Sequence, residues 1–91
     1  MDVRTEIRMA CDSIKELLIQ KNLNYGDSAL KPANIFAKGS AVENLSARID
    51  DKLMRIANKG LGKNTLDTVD DLIGYLVLLK IAIDKENKKS K

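Results

Sequence analysis

Along residues 2–22, apolar side chains recur at Val3, Ile7, Cys11, Ile14 and Leu18, with Ala10 and Leu17 beside them. Steps of three and four put these positions on one stripe of a 3.6-residue helix, so the pattern predicts an amphipathic first helix. Asp2 stands where a carboxylate accepts the orphan amide protons of a first turn. Arg4, Arg8, Asp12, Lys15 and Glu16 fall on the opposite face. A second helix is predicted from about Ser40, because Ser40 followed three residues later by Glu43 is a capping-box pattern. Val42, Leu45, Ile49, Leu53 and Ile56 form its apolar face, and Gly60 and Gly62 end it. The third helix is predicted from Asn64 or Thr65 to about Lys85. Its stripe of Leu66, Val69, Leu72, Ile73, Leu76, Leu79 and Ile83 is widened by Val77 and Leu78, so its second half is apolar nearly all round. Such a helix lies at the centre of a domain or forms half of an interface between copies, and both are expected here.

Residues 23–39 (LNYGDSALKPANIFAKG) show neither period. Gly26, Asp27, Ser28, Asn34 and Gly39 are turn formers, and Pro32 suits the opening of a short helical turn at residues 33–37. A connection this long in so small a protein is usually functional or disordered. Leu30, Ile35 and Phe36 predict that it is packed down. The expected fold is thus all-α: three main helices, a helical turn in the loop between the first two, and an oligomeric helical bundle.

Length sets one domain, read as residues 1–84, with residues 85–91 as a basic, disordered tail. Aromatic residues make up only 3% of the chain, so the core must come from Leu, Ile, Val, Ala and Met. A domain of this size buries little more than half of its unfolded surface, and self-association is the ready way to bury more. The formal charge is +3, of which the segment from Asp84 onward carries +2, from four lysines against Asp84 and Glu86. The body is near neutral, so no dedicated DNA binding is expected. The opening MDVRTEI lacks the pattern of a secretory leader, and no apolar run reaches the ~20 residues of a membrane span. A cytoplasmic setting is expected, and Cys11 on the apolar stripe reads as a small core hydrophobe rather than a reactive thiol.

The chain has no histidine, which excludes histidine acid–base chemistry, triads and most zinc sites. GLGK at residues 60–63 lacks the length and the Ser/Thr of a phosphate loop and reads as a helix-ending turn. Three polar constellations remain. Arg48, Asp51, Lys52 and Arg55 share one face of the second helix, opposite its apolar stripe. Asp67, Asp71 and Tyr75 repeat at four on the third, with Asp70 adjacent, and the loop adds Lys21, Asn22, Asn24, Tyr25, Asp27 and Ser28. Faces of mixed charge are commonly solvated faces carrying i, i+4 pairs. Asp67 and Asp70 also have a structural reason to stand in a first turn, where they oppose the helix dipole. Arg48 and Arg55 are able either to pair with Asp71 across a helix interface or to grip a phosphate by forked hydrogen bonds.

KNLNYGDSAL (residues 21–30), RIDDKLMRI (48–56) and LDTVDDLIGYLVLL (66–79) together resemble the first nucleotide-modification-associated domain family, small all-helical proteins frequent in phages and prophages. The signature positions of that family fall on Lys21, Asn22, Tyr25, Gly26, Asp27 and Ser28, then on Arg48, Asp51, Lys52 and Arg55, then on Asp67, Asp71, Leu72 and Tyr75. The resemblance implies a role in handling nucleotides in a bacterial host cell. More distantly the chain is similar to the MazG-like all-α nucleoside triphosphate pyrophosphohydrolases, which hold Mg²⁺ on two acidic pairs. Here Asp67 and Asp70 make only a shortened second pair, and Asp50 and Asp51 point about 100° apart on their helix.

Three functions follow, in order. The first is nucleotide binding without catalysis by Lys21, Asn22, Tyr25, Asp27, Ser28, Arg48, Lys52, Arg55, Asp71 and Tyr75, sequestering a nucleotide that includes a cyclic defence signal among its candidates. No cofactor is required for it. The second is Mg²⁺-dependent pyrophosphohydrolysis with Asp67, Asp70 and Asp71 on the metal. The third is inhibition of a host protein through the apolar face of the third helix.

Overall fold

The computed structural model describes residues 1–26, 28–32, 34 and 38–89, with the side chains of all of these except Tyr25 and Lys89. Three helices make up the fold: α1 (Val3–Tyr25), α2 (Ala41–Lys59) and α3 (Leu66–Lys89), with a 3₁₀ turn at Lys63–Thr65 leading into α3. No strand occurs among the described residues. The all-α expectation therefore holds. No helix among them is long and apolar enough to cross a membrane.

The helix ends follow from local chemistry. Asp2 Oδ1 accepts from the Arg4 amide at 2.8 Å. Ser40 and Glu43 close the capping box in both directions, at 3.1 and 3.4 Å. At the far ends, Gly26 (φ 71°) and Gly60 (φ 77°) turn the chain out through the left-handed region that a side chain disfavours. Before α3, the buried Thr65 hydroxyl accepts from the Gly62 amide at 2.9 Å and donates back to the Gly62 carbonyl at 3.0 Å. At its other end α3 continues to Lys89, past the expected stop near Lys85, so residues 85–89 of the expected tail are helical. Lysine and glutamate are good helix formers, and Asp84 and Lys88 pair one turn apart at 3.0 Å. Most of the proposed helical turn at residues 33–37, with Ile35 and Phe36, lies outside the described residues, as do Ser90 and Lys91.

The α3 helix is central. It packs chiefly on α2 and more lightly on α1. Leu18 and Lys21 of α1 meet Gly74 and Asp71 of α3, so sequence rises along one helix as it falls along the other. Arg48 and Lys52 of α2 meet Tyr75 and Asp71 in the same sense. Both α1 and α2 are thus antiparallel to α3 and parallel to each other. This explains the long first loop. Antiparallel neighbours need only a short turn, as between α2 and α3, but a chain that leaves α1 beside Asp71 must travel back about 20 Å, at 1.5 Å per helical residue, to start α2.

Among the described residues the buried apolar ones are few: Ile14, Leu45 and Ala82. The α2 face turned to α3 is also rotated from the expected one. Leu45, Ile49, Lys52 and Ile56 are buried or half-buried, whereas Leu53 is 48% exposed. Cys11 is exposed rather than core, together with Val3 and Ile7 ahead of it, because only the second half of α1 is seated on α3.

Gly74 is buried at that seat, and a Cβ built there would stand 3.0 Å from Leu18 Cδ2. Gly74→Ala gains about 1 kcal/mol of helix propensity against this crowding and is expected to melt within a few degrees of the parent. Gly74→Val has no such balance and is expected to lose about 1–3 kcal/mol. Thermal melts followed by circular dichroism check the pair. A valine variant as stable as the alanine one would show that α1 is not held at this contact.

Candidate functional site

Where the three helices meet, α1, α2 and α3 enclose a cleft of about 310 Å³. Its polar lining is Lys21 and Asn22 from α1, Ser28 from the loop, Arg48 from α2, and Asp70, Asp71 and Tyr75 from α3. Leu17, Leu18, Leu30 and Leu78 form the apolar wall. The loop takes part because it crosses this end of the bundle on its way back to α2. Its Leu30 is half-buried, as a packed-down loop requires.

At the polar side, Asp71 is held between two lysines. Lys21 Nζ lies 3.1 Å from Oδ1 and Lys52 Nζ 3.2 Å from Oδ2. The Lys52 side chain is only 15% exposed, since it lies on the α2 face that packs on α3. Burial by itself raises the Asp71 pKa, but hydrogen bonds from Lys21 and Lys52, with the charges of both, outweigh it and hold the carboxyl below its ordinary value of 3.8. One turn further along α3, the Arg48 guanidinium lies over the Tyr75 ring, 5.9 Å from its centroid, at the outer limit of a cation–π contact. Asn22 Nδ2 donates to the Gly26 carbonyl at 3.0 Å and ties the start of the loop to α1.

A lowered carboxylate pKa stabilises the folded state fully above its unfolded value and loses that contribution as pH falls through the folded one. The stability gap between the parent and Asp71→Asn is therefore expected to be largest near neutral pH and to narrow below 3.8. Thermal melts at a series of pH values test this. A gap of equal size at neutral and at strongly acid pH would remove the two-lysine account of Asp71.

The sequence singled out ten binding candidates, and Lys21, Asn22, Ser28, Arg48, Asp71 and Tyr75 line this one cleft, with Lys52 behind Asp71. Asp27 and the side chain of Tyr25 lie outside the described residues. Arg55 is exposed and does not line the cleft. It stands seven residues beyond Arg48, about 10 Å further along α2. The cross-helix partner of Asp71 is also corrected: lysines take it, not Arg48 or Arg55. Asp67 is exposed in the first turn of α3, and Asp67, Asp70 and Asp71 do not cluster as a metal site. Indeed, no group of three acidic or cysteine side chains among the described residues is arranged to hold a metal ion. The apolar wall was missed by sequence reasoning, although Gly74 interrupting an apolar helix was a signal of close approach there.

No family model matches the chain, and neither a curated protein nor a solved structure matches it.

Proposed function

We propose that the cleft binds a nucleotide and that the protein acts by holding its ligand rather than by transforming it. The observation that carries this reading is the meeting of the three resemblance-bearing blocks at one cavity, with a lysine and an arginine beside a tyrosine. A phosphate needs cationic donors, and a base needs an aromatic or apolar face; Lys21 and Arg48 supply the first, and Tyr75, Leu17 and Leu78 the second. The volume of about 310 Å³ is at the small end of small-molecule sites, suited to a base, a sugar and a phosphate and too small for a polymer. The cations that line the cleft, Lys21 and Arg48, are matched by Asp70 and Asp71. A lining of balanced charge favours a monoester or a phosphodiester over a free triphosphate. A cyclic nucleotide signal, sequestered from a host defence, belongs to this class, and the resemblance to phage proteins gives the setting.

Hydrolysis is the weaker reading. Two carboxylates do line the cleft, and Mg²⁺ is content with one or two when phosphates supply the rest. Asp71, however, already accepts from two ammonium groups, which a metal would have to displace.

A calorimetric titration of the purified protein with pooled nucleoside mono- and triphosphates and cyclic nucleotides, in Mg²⁺, tests the proposal. Chromatography of the recovered ligand completes it. Binding at about micromolar Kd with the ligand returned intact is expected. Recovery of a monophosphate and pyrophosphate would put the hydrolase first. Silence across the pool would retire both and leave inhibition of a host protein in front.

A further inference from the structure

We propose that the groove between α1 and α3 is a self-association surface, and that its occupant is the first half of α1 from a second copy of this chain. The isolated chain is under-buried for its size. Its accessible surface is 7283 Å² at a mass of 10.1 kDa. A folded monomer of that mass exposes about 5,300 Å², some 2,000 Å² less. The radius of gyration is 14.9 Å, against about 12 Å for a compact chain of this length. An excess of about 2,000 Å² is what one subunit gives up in a permanent interface, where each side contributes about 1,000–2,500 Å².

Exposed large apolar side chains occur on all three helices, and those of α1 include one continuous line. Val3 is 65% and Ile7 56% exposed, on the stripe that continues into Cys11, Ile14 and Leu18. Beside the lower part of this stripe opens a groove of about 550 Å³, walled by Ile14, Ile19 and Leu23 of α1 and by Ile73, Val77 and Ile81 of α3. Such a groove takes a helix with apolar residues three and four apart. The first half of α1 is such a helix, and among the described residues it has no seat on its own chain.

One two-fold arrangement satisfies both halves. If two α1 helices pair antiparallel about an axis near Cys11, the Val3–Ile7 end of each lies over the other's groove near Ile14 and Ile19. Every contact is then made twice, as an isologous interface requires. Among the described residues the groove lining holds a single charged one, Lys15, and this pairing brings Glu6 of the incoming helix to its level. A foreign helix would need the same apolar spacing and the same acid. The chain carries both already.

Sedimentation velocity of the full chain from about 1 to 100 μM is the test, since an assembly held this way dissociates on dilution. A dimer, or a multiple of it, is expected for the parent. Ile7→Glu is expected to sediment as a monomer with unchanged helicity, and Met54→Glu, the same change on an exposed position of α2, as the parent does. A parent that stays monomeric throughout would overturn the proposal and leave the groove to a different protein. Ile7→Glu associating as tightly as the parent would overturn the surface. Alkylation of Cys11 in the unaltered chain gives a readout that needs no variant. Its rate is expected to fall about tenfold between the dilute and concentrated ends of that range. A constant rate would contradict burial of Cys11 between copies, whatever the fate of Ile7→Glu.

Discussion

Leu45→Ala is expected to lower the melting temperature by about 8–40 °C. Few large side chains are buried among the described residues, and of these Leu45, at 1% exposure, is buried most completely. Truncating a buried leucine removes its transfer free energy and leaves a cavity, together about 2–5 kcal/mol. A domain of this size holds only about 5–14 kcal/mol in all, and each kcal/mol moves its midpoint about 4–8 °C. Leu53→Ala is the matched control. It removes the same atoms eight residues along the same helix, from a side chain that is 48% exposed, and is expected to cost less than about 1 kcal/mol. Circular dichroism melts of the two variants decide the point. Equal losses would mean that the α2 face turned to α3 is the one centred on Leu53, and the rotated face described above would be wrong.

That rotation marks how far the fold was legible in the sequence. Helix positions came through because their causes are local. Asp2, the Ser40–Glu43 box, Gly26 and Gly60 act within a turn of the residues they cap, and all four ends are where capping chemistry puts them. The facing of α2 is not a local property. A pure hydrophobic stripe places Leu53 inward and Lys52 outward, yet Lys52 points to α3 because Asp71 waits there, with its charge matched and its long stem covering apolar surface. The α1 stripe misled in the opposite way. Its spacing is uniform from Val3 to Leu18, but Val3, Ile7 and Cys11 are exposed while Ile14 and Leu18 are covered, and a pattern of apolar positions carries no record of where a neighbouring helix stops covering it. The parallel placement of α1 and α2 was equally silent, although the length of residues 26–40 is its consequence.

The site was legible as a set of residue types and less so as an arrangement. Arg48, Asp71 and Tyr75 were marked by polar character at helical spacing and Lys21 by its place beside the polar loop, and these four line the same cleft. Arg55 shares the spacing of Arg48, two turns away, and no rule of periodicity separates them. What separates them is where α3 has Tyr75 and where the α1 C-terminus arrives. The lysine pair on Asp71 shows the same limit: sequence offered arginines as partners, and proximity chose lysines.

Arg48→Ala is accordingly expected to weaken nucleotide binding about ten- to hundredfold, whereas Arg55→Ala leaves it unchanged. Both substitutions remove one positive charge from α2 and both side chains are exposed, so their effects on the general field and on folding are alike. They differ in position. Arg48 borders the cleft with its guanidinium over Tyr75, where the proposed nucleotide would bring a phosphate to its fork of donors. Loss of a charged hydrogen-bond partner is worth about 1.5–3 kcal/mol, and each 1.4 kcal/mol is a factor of ten in Kd. Arg48→Lys separates the two contributions of that side chain. It keeps the charge but not the planar fork, so an intermediate loss is expected if bidentate contact matters, and near-parent affinity if charge alone does. Calorimetry on the four proteins at one ionic strength gives the comparison. Equal weakening by Arg48→Ala and Arg55→Ala would mean that the ligand senses only the charge of the helix, and the cleft would lose its claim to be the binding site.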